Sequence, residues 1–66
     1  MTKLATDTKS RIISLLENAY SSRLNNLKLS LELAENALVL SREIGDQALV
    51  GKSLNQLALF YMIMGE

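Results

Sequence analysis

Leu57 to Met64 is an unbroken run of eight apolar residues near the end of a 66-residue chain. A helix carrying such a run has no solvent face over that stretch and must be covered from more than one side. The run is less than half of the ~20 residues a bilayer span needs, so it reads as a core helix and not as a membrane segment. Two preceding helices cannot cover every side of it. The sequence therefore calls for a further layer, from a following helix or from a second copy. Chain length sharpens the point, because a domain of this size buries only about 60% of the surface its unfolded chain exposes.

Composition removes most chemistries. Seven Lys/Arg against seven Asp/Glu give zero formal charge, so the basic footprint of a nucleic-acid binder is missing, as is a basic block for anionic lipid. With no Cys and no His, there are no disulfide staples, no thiolate or imidazole metal ligands and no nucleophile–histidine pairs. No cofactor or metal is expected. Hydrophobic residues at 48% without a single Pro exclude disorder and favour helix. Met1 to Lys9 holds no apolar core of the ~7 residues a secretory signal requires. Cytoplasmic placement is the expectation.

Periodicity divides the chain into an N-terminal arm, 1–8, and three helices at about 9–22, 26–44 and 47–64. In the first, Ile12, Leu15, Leu16, Ala19 and Tyr20 recur at spacings of three and four, with Asp7 or Thr8 as candidate N-cap. In the second, Leu27, Leu29, Leu31 and Leu33 alternate with polar residues as a strand would, but no Gly or Pro interrupts Asn26 to Ile44, a length usual for a helix and excessive for a strand. Counted as a helix, Leu27, Leu31, Ala34 and Leu38 form one stripe, and Leu29, Leu33, Leu40 and Ile44 a second. Two stripes mean a helix held between two neighbours. Gly45 suits the left-handed residue that stops this helix and Asp46 the cap of the next, so the turn is tight and the helices antiparallel.

Sliding the chain against itself by 41 residues sets Leu16, Ala19 and Tyr20 over Leu57, Phe60 and Tyr61, the spacing of one helical hairpin plus its connection. Leu57, Ala58, Tyr61, Gly65 and Glu66 resemble the first helix of a tetratricopeptide repeat. Ser30, Leu31, Leu33, Ala34, Ala37 and Leu38 resemble its second helix, where small residues let neighbours approach. The phrase from Ala37 to Asp46, Ala-Leu-Val-Leu-Ser-Arg-Glu-Ile-Gly-Asp, resembles the longer-period variant found in bacterial signalling proteins. The resemblance implies an all-α fold with one and a half repeats over 9–66, a fragment of a right-handed superhelix. Its packing signature would be Leu16, Tyr20, Ala34, Ala37, Leu57, Ala58 and Tyr61. Repeat arrays need about three units for stability, so the chain is expected to be the N-terminal piece of a longer array.

In that family, peptides lie along the concave face lined by first helices. Carried onto matching positions, the face comprises Arg11, Ser14, Asn18 and Ser21 with Lys52, Asn55, Leu59 and Met62. The family's carboxylate clamp places a Lys one turn before an Asn, and here Ser14 stands before Asn18. Glu32 with Glu35, or Glu43 with Asp46, are solvated helix-face charges without a cleft to tune them, so no enzyme is expected. Gly51-Lys52-Ser53 echoes the tail of a phosphate loop, but the first Gly of that motif would fall on Asp46. Gly51 is read instead as a point where the preceding helix comes close. The expected function is a non-catalytic protein–protein interaction module that binds a peptide or helix, with neither nucleic acid nor membrane as partner. Two alternatives stand beside it. One is a regulatory N-terminal segment of a signalling enzyme such as a sensor histidine kinase or nucleotide cyclase. The other is a self-contained homo-oligomer joined through the apolar end of the third helix.

Overall fold

A computed structural model describes residues 2–65 of the chain, and side chains from Asp7 onward. Those residues form three α-helices joined by two short turns: α1 (Thr2–Ser21), α2 (Leu27–Ile44) and α3 (Gln47–Gly65). There is no strand among the described residues. The fold is all-α, and α2 and α3 match the periodic reading to within a residue or so. The first helix starts earlier than its periodicity indicates. Residues 2–8 hold no Gly or Pro to break a helix, so the segment read as an arm is helical from Thr2, and Asp7 and Thr8 lie inside α1 instead of capping it. Glu66, part of the repeat signature, lies outside the described residues.

Both turns are set by side chains and backbone geometry that can be named. At the end of α1, the Arg23 guanidinium donates to the Tyr20 carbonyl oxygen at 2.8 Å and lies 3.8 Å from the centroid of the Tyr20 ring, placing a cation where the helix dipole is negative. Asn26 then caps α2, its Oδ1 accepting from the Leu29 N–H at 3.1 Å. The second turn follows the glycine reading. Gly45 adopts φ 69° and ψ 27°, a left-handed conformation that glycine takes without a Cβ clash. Its N–H donates to Arg42 O and the Asp46 N–H to Ser41 O, each at 3.1 Å. Asp46 Oδ1 accepts from the Leu49 N–H at 3.1 Å, while its Oδ2 meets Lys9 Nζ at 3.2 Å. One carboxylate thus starts α3 and ties that turn to α1.

Helix α2 is the wedge between the other two. Its buried residues are all small: Ser30, Ala34, Ala37 and Ser41, a strip at spacings of four, three and four along one face. On the flanks of that strip stand the leucines of the two sequence stripes. Leu40 and Ile44 pack on a core cluster of Ile12, Leu16, Ala37 and Leu49. Leu27, Leu31, Leu33 and Leu38 pack on a second cluster of Ala19, Ala34, Leu57 and Phe60. Both clusters draw residues from all three helices, so a single layer of small side chains on α2 lets α1 and α3 come close together. Leu29, assigned to a stripe, is instead 39% exposed.

The three fully buried serines are each satisfied. Ser30 Oγ donates across the interface to Ala19 O of α1 at 2.6 Å, and Ser41 and Ser53 donate to the carbonyls one turn back, Ala37 O and Leu49 O. A hydroxyl in this setting adds a hydrogen bond without adding bulk.

Helices α1 and α3 resemble each other in burial as well as sequence. From Ile12 to Ser22 and from Ser53 to Ile63, at the same offset of 41, the alternation of buried, half-buried and exposed positions agrees everywhere except at Asn18 and Leu59. Of the residues in the resemblance's packing signature, Leu16, Ala34, Ala37 and Leu57 are buried. Tyr20, Ala58 and Tyr61 are not, with the two tyrosines 47% and 53% exposed. The buried aromatic is Phe60, which has no polar tip to satisfy, whereas Tyr61 reaches out to donate to Glu35 Oε2 at 3.5 Å.

Two stability predictions follow from this arrangement. Ala34→Leu forces extra volume into the strip where three helices meet and is expected to cost about 1–3 kcal/mol by urea unfolding, while Leu24→Ala, at a position 78% exposed, changes stability by less than about 0.5 kcal/mol. The second concerns Asp46, whose carboxyl is held below its ordinary value by the Leu49 N–H and then by Lys9. A depressed carboxylate stabilises the fold above its unfolded pKa, and that contribution fades as pH falls through the folded one. Thermal unfolding of Asp46→Asn is therefore expected to lose less of its midpoint than the parent does as the pH falls below the ordinary Asp value of 3.8, the asparagine still capping α3.

Candidate functional site

Because α2 fills one side of the α1–α3 pair, the opposite side is left as a groove bounded by those two helices alone. Ile13, Leu16, Glu17, Tyr20 and Ser21 come from α1, and Leu49, Lys52 and Gln56 from α3. The volume is about 410 Å³. Leu16 and Leu49, each 5% exposed or less, make an apolar floor. Ile13 and Tyr20 stand half out of the α1 wall, with Glu17 on one rim and Lys52 on the other. The Tyr20 ring is held from below by the stacked Arg23 guanidinium.

One atom in this groove is unsatisfied. Gln56 Oε1 is shielded from solvent and has no hydrogen-bond partner, a cost of about 1–3 kcal/mol that native folds seldom leave in place. Gln56 aligns with Leu15 at the 41-residue offset, and Leu15 packs on the cluster around Ile12 and Leu16. A polar group thus occupies on α3 the position that is apolar on α1.

The residues assigned to the concave face are placed as follows. Ser21 and Lys52 line the groove. Arg11 lines a separate hollow of about 350 Å³ between α1 and α2, with Leu15, Asn36, Val39 and Leu40. Ser14, Asn18, Asn55 and Met62 are exposed without lining either hollow, and Leu59 is half-buried against the core. At 100° per residue, the stripes Arg11–Ser14–Asn18–Ser21 and Lys52–Asn55–Leu59–Met62 point nearly away from the buried face of their helices. The groove lies one step round, at Ile13, Glu17 and Tyr20. Those residues carried a detectable signal, since an Ile and a Tyr seven apart flank the core stripe of α1 on the same side.

Gly51 requires a correction. A Cβ built there would meet nothing within 4 Å, so no neighbouring helix comes close to it. Among the described residues, no group of three or more acidic side chains gathers as a metal site, and no helix is long and apolar enough to cross a membrane.

Compared with protein-family models, with curated proteins and with solved structures, the chain has no match in any of the three. The resemblance to tetratricopeptide repeats therefore rests on this chain's own residues.

Proposed function

We propose that the chain is a non-catalytic interaction module of tetratricopeptide-like type and that the α1–α3 groove takes a segment of a partner protein. The observation that carries this reading is the groove's make-up: an apolar floor, two half-exposed apolar side chains on its wall, charges of opposite sign on its rims and a buried acceptor with no donor. A partner segment that fits inserts one bulky apolar side chain over Leu16 and Leu49 and offers an N–H that Gln56 Oε1, shielded in the free chain, meets once the Gln56 side chain turns outward. An acidic group beside Lys52 and a basic one beside Glu17 would set its direction. Burial of the apolar anchor supplies about 25 cal/mol per Å2, less the cost of ordering the segment. The recurrence of the α1 burial series in α3 supports a repeat architecture, in which such grooves form between successive first helices.

The test is selection of peptides from a displayed random library against the folded chain, followed by amide chemical-shift mapping. Selected peptides are expected to share one large apolar residue and to perturb Ile13, Tyr20, Lys52 and Gln56. Ile13→Ser is expected to weaken them about tenfold, equivalent to ~1.4 kcal/mol. Gln56→Met is expected to raise the stability of the free chain while weakening the same peptides, since it removes both the unpaired acceptor and its use. Perturbations centred on Arg11, Ser14 and Asn18, or no selected peptides at all, would contradict the assignment.

A further inference from the structure

The outward side of α3 is a second apolar surface, distinct from the groove. Leu54 and Tyr61 are 45% and 53% exposed, and Val50 is half-buried beside them. No Asp, Glu, Lys or Arg occurs from Ser53 to Gly65, so the last thirteen residues of this helix run without a charge. Scattered exposed apolar residues are ordinary, but a continuous uncharged helix face is not.

The spacing along that face selects its occupant. Gly51, Leu54, Ala58 and Tyr61 follow one another at intervals of three, four and three, the seam of a helix pair, with small and large residues in alternation. Set antiparallel against itself, the seam places each large residue over a small one: Leu54 over Ala58 of the second copy, and Tyr61 over its Gly51. The match is self-complementary, as a two-fold interface requires. It also accounts for Gly51, a mid-helix glycine that costs up to about 1 kcal/mol relative to alanine and has only open space beside its Cα within the chain. The four seam residues carry no charge and the whole chain has zero formal charge; the carboxylate beside the seam, Glu35 of α2, accepts from the Tyr61 hydroxyl at 3.5 Å.

Area sets the strength. The chain exposes 4572 Å2, about 400 Å2 more than the ~4,200 Å2 of a compact monomer of its mass. Its extents of 43 × 18 × 13 Å show the elongation responsible. A helix-to-helix contact that removed ~400 Å2 from each copy would bury about 800 Å2 in all, below the ~1,200 Å2 at which stable interfaces begin and in the range of transient encounters, which describes a weak dimer that exchanges with monomer.

We propose that Gly51, Leu54, Ala58 and Tyr61 form a self-association surface that pairs antiparallel with the same face of a second copy. It is independent of the partner groove, which lies on a different side of α3. Sedimentation equilibrium tests it on the full chain. The weight-average mass is expected to stay near 7.3 kDa at about 10 µM and to climb towards twice that by about 1 mM. Ala58→Glu, at an exposed position, and Gly51→Leu, where the free chain has room for a side chain, are each expected to hold the mass at monomer across that range with unchanged far-ultraviolet circular dichroism. Gly51→Leu is also expected to raise the thermal midpoint of the dilute chain. A parent that remains monomeric at ~1 mM would assign the face to a different protein and overturn the proposal. So would variants that dimerise as the parent does, species larger than dimers, or loss of helicity in both variants.

Discussion

The close approach permitted by Ser30, Ala34, Ala37 and Ser41 is the constraint on which the rest of this molecule depends. A helix with leucines at those four positions would hold α1 and α3 farther apart, because interaxial distance follows the side chains at the contact. With methyl and hydroxymethyl groups there, both neighbours reach the same strip, and each core cluster contains residues of all three helices. The leucines on either flank then close around the strip. Small residues at the centre and large ones at the edges make one helix able to serve two partners. The Ser30 hydrogen bond to Ala19 O adds direction to that contact, since it is met only when α1 and α2 sit close and in one register.

From the same wedge comes the placement of the open surfaces. Helix α2 covers α1 and α3 from one side, so the crevice between them opens on the other, floored by Leu16 and Leu49 and rimmed by Glu17 and Lys52. The Asp46 carboxylate, bonded to the Leu49 N–H and paired with Lys9, anchors the start of α3 to α1 at one end of that crevice. A groove fixed by helix packing and a cap needs little rearrangement to accept a segment, and pre-organisation of this kind lowers the entropic cost of binding.

Much of this was legible in the residues. Gly45 and Asp46 announced a stop and a start because each can do locally what the backbone there needs, a positive φ and a free carboxylate. The uninterrupted length from Asn26 to Ile44 overruled a strand-like alternation. Less legible were features decided by tertiary context. The start of α1 at Thr2 carries no punctuation of its own, and the inward turn of Phe60 in place of Tyr61 depends on which of two adjacent aromatics has a hydroxyl to solvate. The eight-residue run marked α3 as incompletely covered, and the structure places Leu57 and Phe60 inside while Tyr61, Met62 and Met64 remain more than half exposed. The concave stripe expected at Arg11, Ser14, Asn18 and Ser21 rests on a family pattern carried over by position alone. The groove formed one step further round because α3 meets α1 along the flank of the core stripe and not opposite it.

The claim that a small-residue strip on α2 holds both neighbours is tested most directly by nuclear Overhauser contacts from the Ala34 and Ala37 methyl groups. Each methyl is expected to show cross-peaks to α1 and to α3 together, Ala34 within the Ala19–Leu57–Phe60 cluster and Ala37 within the Ile12–Leu16–Leu49 cluster. Methyls that contact one neighbour only, with Leu29 or Val39 taking up the contacts to the other, would contradict it.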